Sequence, residues 1–242
     1  MHTVIVTGIS RGLGAALAEA LLARGHRVIG VGRSGNAALV GERYRFVECD
    51  LAHPSRVAAI VEPVFAELAL SSPSAVTLVN NAAVAWPVGR VGRVDDREVE
   101  AAMAVNAVAP AALCNAFLRT FTGDAMRRRI INVSSGAAHS AIAGSAVYCM
   151  AKAALEMLTR TIAAETTSPG FACISLRPGI IETDMQSYMR GHDPAHFPSV
   201  ALFRGFKENA LLKAPAEVAA RIADKLIDGD VEHGRTYSHQ DL

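Results

Sequence analysis

A doubly wound α/β fold, with one parallel sheet of about seven strands and helices on both faces, is what this sequence predicts, on three observations. Short β-branched runs alternate with longer Ala-rich stretches of helical periodicity. The strand-like runs are apolar throughout rather than alternating, the mark of strands covered on both sides. A glycine-rich turn, Thr7-Gly8-Ile9-Ser10-Arg11-Gly12-Leu13-Gly14, joins the first strand run to the first helical run. With 242 residues and no internal repeat, low-complexity tract or linker, residues 1–242 are expected to form a single domain.

In chain order, Thr3–Val6 reads as a buried strand, Leu13–Ala23 as a helix and Arg27–Val31 as a second strand. Tyr44–Cys49 and Val76–Val79 repeat the strand pattern, with a periodic helix around Arg56–Leu68 between them. A helix follows around Ala101–Phe121, then a strand at Ile130–Val133, a helix at Val147–Thr166 and a strand at Ala172–Leu176. Met185–Lys213 breaks the rhythm with Gly191, Pro194, Pro198 and Gly205, and is expected to be a mobile segment covering the substrate. The last residues, Gly234–Leu242, read as a polar tail.

Composition narrows the function classes. Hydrophobic residues make up 51% of the chain and charged residues 19%, ample for a packed core. A net charge of +1 with interspersed signs leaves no basic footprint for nucleic acid and no polybasic tract for a membrane surface. No apolar stretch reads as long enough to cross a membrane, and the first residues lack a signal-peptide layout, so the cytoplasm is the expected location. Cys49, Cys114, Cys149 and Cys173 are widely spaced, as buried apolar residues rather than disulfides or metal ligands. His192 and His196 have helical spacing, but Pro194 between them argues against a metal site. His139 is left as a pocket-rim candidate.

Sheets of this kind bind ligands beyond the carboxyl ends of their strands. That rule selects Gly8–Gly14, Gly32–Ser34, Asp50, Asn80–Ala83, Ser134–Ser135 and Pro178–Thr183. The glycines let the backbone approach a pyrophosphate, whose charge is favoured at a helix N-terminus. After the second strand the chain reads Gly32-Arg33-Ser34, with no acid to hold ribose hydroxyls and repel a phosphate there. Arg33, Ser34 and Arg11 instead offer two cations and a hydroxyl to a 2′-phosphate, so NADP(H) is the expected cofactor.

Tyr148 and Lys152 stand four residues apart, on one face of a helix. A phenol with pKa ~10 transfers protons poorly near neutrality, and a neighbouring ammonium lowers that value. Together with Asn80-Asn81-Ala82, Asn106, Ser134-Ser135 and Pro178-Gly179…Thr183, in this order, the pattern resembles the short-chain dehydrogenase/reductase family over nearly the whole chain. The resemblance implies a Rossmann fold of the family's compact branch. It also implies roles. Ser135, with Ser134 as runner-up, would hydrogen-bond the substrate carbonyl, Tyr148 would exchange the proton, and Lys152 would hold the nicotinamide ribose and lower the tyrosine pKa. Asn106 would kink a helix and hold a water on the proton path. Gly8, Ser10, Arg11, Gly12, Leu13 and Gly14 would cradle the pyrophosphate. Asp50 and Leu51 would meet the adenine, and Asn80 and Ala82 the adenosine side. Pro178, Gly179, Ile181 and Thr183 would bind the carboxamide. The one departure is Ala83, where the family carries glycine.

Several of these stretches look closer to the sepiapterin-reductase and benzil-reductase group, which reduces α-dicarbonyls with NADPH. The substrate expected is a ketone or α-diketone, against an apolar wall of Trp86, Met185, Tyr188 and Met189 with few fixed charges. An NAD-dependent alcohol dehydrogenase is the alternative, opposed by the missing acid; a non-catalytic NADPH sensor is a further one, opposed by the intact Ser135, Tyr148, Lys152 and Asn106. The resemblance implies that the apolar helices around Ala101–Phe121 and Val147–Thr166 form a dimer interface, so a homodimer or homotetramer is expected, and the short polar tail favours the dimer.

Overall fold

The computed structural model describes residues 1–123 and 126–242. Its strands are β1 (His2–Thr7), β2 (Arg27–Gly32), β3 (Tyr44–Glu48), β4 (Ala75–Asn80), β5 (Arg127–Val133), β6 (Phe171–Arg177) and β7 (Thr236–Ser238). They form one sheet in the order β3-β2-β1-β4-β5-β6-β7, parallel throughout. The helices are α1 (Gly12–Ala23), α2 (Pro54–Leu70), α3 (Asp96–Met103), α4 (Ala109–Thr120), α5 (Ala146–Glu165), α6 (Asp184–Arg190), α7 (Val200–Glu208) and α8 (Pro215–Ile222). The sheet order changes direction between β1 and β4, which places a crevice above their carboxyl ends.

The two-residue period of a strand sorts the core into two layers. Val4 and Val6 of β1, Ile131 of β5 and Ile174 of β6 pack with Leu17 and Leu21 of α1 and Ile222 of α8. Ile5, Ile130 and Cys173 point the other way, into Val57, Val61 and Phe65 of α2 and Leu113 and Phe117 of α4. Continuous apolar runs in the sequence therefore mean strands covered on both faces. Asp96–Thr120, formed by α3, a π-turn at Ala104–Val108 and α4, is long and apolar enough to cross a membrane, contrary to the expectation from sequence. It belongs to the core instead, with Ala109, Leu113, Cys114, Ala116 and Phe117 buried against α2 and the sheet.

Three other elements differ from expectation. β5 starts three residues early, in Arg127-Arg128-Arg129. Arg129 is buried and donates to the carbonyls of Leu226, Ile227 (3.3 Å) and Gly229 (3.1 Å) at the end of the π-turn Ala223–Asp228 that continues α8, while Arg127 reaches Ile227 (3.3 Å). Those carbonyls have no partner within a helix that is ending, and its negative dipole end favours a guanidinium. Arg129→Met is expected to cost about 1–3 kcal/mol. Thermal unfolding should show a fall of roughly 2–10 °C, with turnover of the folded protein unchanged. An unshifted midpoint would remove Arg129 from the account of stability.

The tail read as polar contains β7, whose Tyr237 is buried and accepts a hydrogen bond from the Glu232 amide at 2.8 Å. Met185–Lys213 is largely helical, forming α6 and α7 around the break at Pro194. Phe197, Val200 and Phe203 pack with Ala85, Val88 and Met189 into a separate small core.

Candidate active site

The glycine turn is held from one side by Thr7 and Asn81. The Thr7 hydroxyl accepts from the amides of Asn81 (3.0 Å) and Ala82 (2.9 Å), and the Asn81 amide group donates to the carbonyls of Thr7 (2.9 Å) and Gly8 (3.3 Å). A Cβ at Gly14 would sit 2.2 Å from the Gly8 carbonyl, so only glycine permits this approach. At Gly12, with φ of +61°, a Cβ would meet the Thr183 methyl at 3.4 Å; the loops after β1 and β6 thus face each other across the crevice. Leu13 is buried in α1, while Ser10 and Arg11 are exposed.

The remaining residues expected at the crevice fall into two sets. Arg33 and Ser34 are exposed beyond β2, half-buried Asp50 accepts from the Ala52 amide at 3.0 Å, and Leu51 is buried. Arg11 pairs with Asp184 at 2.9 Å, both well exposed, so a phosphate there would compete with that carboxylate. Pro178 is buried, Gly179 adopts φ of +85°, Ile181 is buried and bridged to Lys213, and Thr183 precedes α6 as its N-cap. Asn80, expected at the adenosine side, stands at the end of β4. Its side chain is buried and turned inward, donating to Asn132 at 2.8 Å and contacting the Cys114 sulfur at 3.4 Å. Strand alternation explains this: Asn80 ends β4 on the side of Leu78, towards α4. The neighbouring Asn81, to which the sequence reading gave no role, makes the contacts with the loop.

Tyr148, Lys152 and Ser135 come together. Ser135 follows β5; its hydroxyl accepts from the Ala137 amide at 3.2 Å and lies near enough to Tyr148 to lower the phenol pKa. Ser134 faces the opposite way, buried, and donates to Glu156 at 2.8 Å, so geometry separates the two serines. Lys152 is buried, with Nζ donating to the Val133 carbonyl at 2.7 Å and lying 5.6 Å from the Tyr148 ring centre. Burial pushes the Lys152 pKa down to about 8. Burial likewise pushes Tyr148 up to about 12, against the lowering from Ser135 and with a small addition from Cys149. This reverses the direction expected from the sequence, because the cost of a buried phenolate outweighs its surroundings.

Asn106 lies at the middle of the π-turn. Its side chain accepts from the Val84 amide and donates to the Val84 carbonyl, both at 2.8 Å. That pair of bonds fastens the chain just beyond Asn80–Ala83. The wider π ladder interrupts regular helical bonding at this point.

An open cleft of about 450 Å³ lies between Trp86, Tyr188, Arg97, Glu98 and Ala101. Burial and the Glu98 charge raise the Tyr188 pKa. The wall is less apolar than expected: α3 brings Arg97 and Glu98 to it, residues no motif marked. Met185 is half-buried against the small core under α6 and α7. Elsewhere, His2, His26 and Asp228 cluster beneath the sheet, but Arg24 holds Asp228 at 2.8 Å and the charges of Arg127 and Arg129 act on His2. Such surroundings disfavour a cation.

The chain matches the short chain dehydrogenase family over residues 2–193. It is 29% identical over 239 residues to a benzil reductase ((S)-benzoin forming) of Bacillus subtilis (strain 168), covering 98% of both chains. It is 32% identical over 194 residues to an NADPH-dependent pterin aldehyde reductase of Arabidopsis thaliana, covering 76% of each. A short chain dehydrogenase/reductase from Saccharomyces cerevisiae superposes with a TM-score of 0.82 at 26% identity, covering 99% of this chain and 96% of that one. With a Tyr148–Lys152 pair beside Ser135, a glycine turn at the switch in strand order and this match across most of its length, the chain belongs to the short-chain dehydrogenase family of oxidoreductases.

Proposed function

We propose that the chain is an NADPH-dependent carbonyl reductase, converting a ketone or α-diketone into a secondary alcohol. The observation that carries this reading is the convergence of the Tyr148 phenol and Ser135 with the buried ammonium of Lys152, whose Nζ lies 5.6 Å from the Tyr148 ring centre. A phenol holds its proton at neutral pH and can give it to a carbonyl oxygen as negative charge develops there.

The crevice fits a dinucleotide. Gly8, Gly12 and Gly14 form a side-chain-free cradle at the N-terminus of α1, where a Cβ at Gly14 would fill the space. Ser10, Arg11, Leu13, Asp50, Leu51, Ala82, Pro178, Gly179, Ile181 and Thr183 line the remaining course, with the Asn80 backbone. Arg33 and Ser34, with no acid beside them in Gly32-Arg33-Ser34, select the 2′-phosphate. When bound, the nicotinamide supplies the hydride that reaches the carbonyl carbon. Tyr148 gives its hydroxyl proton to the carbonyl oxygen, and Ser135 donates a hydrogen bond to that oxygen as negative charge develops. Lys152 steadies the phenolate left behind until it regains a proton from water. Trp86, Tyr188 and Met185 orient the substrate.

The diketone preference draws on the Bacillus relative, and the NADPH preference accords with the Arabidopsis one. A homodimer completes the reading: Met150, Ala153, Ala154 and Met157 form an exposed apolar stripe on α5, with Val108 exposed on the π-turn. A second copy covers that face.

The test is oxidation of NADPH and NADH, followed by absorbance, with benzil, a phenyl-diketone, an aliphatic diketone and a simple ketone. Turnover of the diketones with NADPH is expected; equal rates with NADH, or none with any carbonyl, would overturn the assignment. Arg33→Ala should raise KM for NADPH about 10–100-fold, the loss of a charge-assisted bond to phosphate, and leave KM for NADH unchanged.

A further inference from the structure

Glu156 lies one helical turn beyond Lys152 on α5, on the same face, and is buried. One carboxylate oxygen accepts from Ser134 Oγ at 2.8 Å and from Arg177 Nε at 2.7 Å; the other accepts from the Arg177 guanidinium at 2.7 Å. Burial alone would raise its pKa, yet the hydrogen bonds from Arg177 and Ser134, the Arg177 charge and nearby His139 hold it below the ordinary value. The carboxylate is therefore ionised at neutral pH.

Its partners occupy telling places in the chain. Ser134 immediately precedes Ser135, which touches Tyr148. Arg177 ends β6 and immediately precedes Pro178-Gly179, which opens the loop leading to Thr183. A single carboxylate thus joins the catalytic helix to the ends of two different strands. The bidentate fork sets the direction of Arg177 as well as its distance.

We propose that Glu156 is a positioning residue for the reductive step. Through Ser134 it sets Ser135 against Tyr148, and through Arg177 it anchors the loop Pro178–Thr183 that the cofactor must meet. This rests on the reductase reading above. The two arms have separable consequences. Loss of the Ser134 arm displaces a hydroxyl at the reacting oxygen, where an error near 1 Å costs about 10²-fold in rate. Loss of the Arg177 arm loosens a cofactor loop.

The variants are Glu156→Gln, Ser134→Ala and Arg177→Lys, with Glu156→Ala as the more disruptive companion. For each, kcat and KM are measured with a diketone, NADPH affinity by fluorescence titration without substrate, and Tm by thermal unfolding. Ser134→Ala is expected to lower kcat roughly 10–100-fold with NADPH affinity unchanged. Arg177→Lys should weaken NADPH binding about tenfold, with a smaller change in kcat. Glu156→Gln, nearly isosteric, should do both while remaining folded, so misfolding of Glu156→Ala would not obscure the result. A merely structural ion pair would lower Tm and leave kcat and NADPH affinity of the folded protein unchanged, and that outcome overturns the proposal. The affinity arm does not depend on the substrate. If wild type binds NADPH but reduces none of the carbonyls, the reductase reading fails, while unchanged NADPH affinity in Glu156→Gln and Arg177→Lys would sink the positioning role independently.

Discussion

Tyr148→Phe is expected to lower NADPH-dependent diketone reduction by about 10²–10⁴-fold, the contribution of a positioned general acid, with NADPH affinity unchanged. The substitution removes one oxygen and keeps the ring that packs beside Lys152. Its specificity lies in the proton. With its pKa pushed up to about 12, the phenol is protonated throughout the neutral range. Reduction by wild type should then show no acid-side requirement near neutrality, whereas the reverse oxidation, which needs the phenolate, should accelerate as pH rises. Steady-state rates in both directions between pH 6 and 10 read this directly. Retention of more than a tenth of the wild-type reduction rate in Tyr148→Phe would assign the proton to another group.

Lys152→Met carries the second large effect, and it acts on activity and stability in opposite senses. Reduction should fall by about 10²–10⁴-fold, because the tyrosine loses the cation beside it as negative charge develops. Stability without nucleotide should rise. The ammonium is buried, and its pKa is depressed from 10.5 to about 8. Below pH 8 the lysine is charged in both folded and unfolded states, and the folded state carries the full cost of burying that charge. Between pH 8 and 10.5 the unfolded chain binds more protons, so wild-type stability rises with pH as the cost is relieved. Replacing the ammonium by a thioether removes that cost but leaves the Val133 carbonyl without its 2.7 Å donor. The net gain expected at pH 7 is about 1–3 kcal/mol, visible as a higher Tm whose advantage shrinks towards pH 10. A variant less stable than wild type at pH 7 would mean that the bond to Val133 outweighs the buried charge. Wild-type reduction should also decline above about pH 8, as Lys152 loses its proton.

Much of the fold was legible because strands buried on both faces must be apolar at every position. Val4–Val6, Val76–Val79 and Ala172–Leu176 therefore stand out against the amphipathic helices between them. The glycine turn and the Tyr148–Lys152 spacing were legible for a related reason: backbone approach and helical periodicity are local constraints, written in adjacent residues. Arg127-Arg128-Arg129 escaped notice as strand because a run of three cations reads as surface. Arg129 is buried against helix-end carbonyls about a hundred residues away in the chain, and Arg128 against the Phe121 carbonyl and the Ser168 hydroxyl. Thr236–Ser238 escaped for want of length, since three residues become a strand only beside Ser175–Arg177.

Within the site, residue types were readable and directions were not. Asn80 and Asn81 are the same amino acid in adjacent positions, as are Ser134 and Ser135; which member of each pair faces the crevice follows from the pleat and the exit of the strand. Arg97 and Glu98 reach the cleft beside Trp86 only because α3 packs there. The sign of the Tyr148 shift was equally beyond a local reading. Helical spacing placed an ammonium near the phenol, but burial, a property of the packed chain, raises the phenol pKa against the lowering from Ser135. By itself the sequence determined the layered parallel sheet, the crevice and the kinds of side chain that meet there, because these rest on local periodicity and local backbone freedom. Tertiary structure decided which face each side chain presents, what pairs with it and how much water it keeps, because desolvation and hydrogen bonding depend on neighbours distant in the chain.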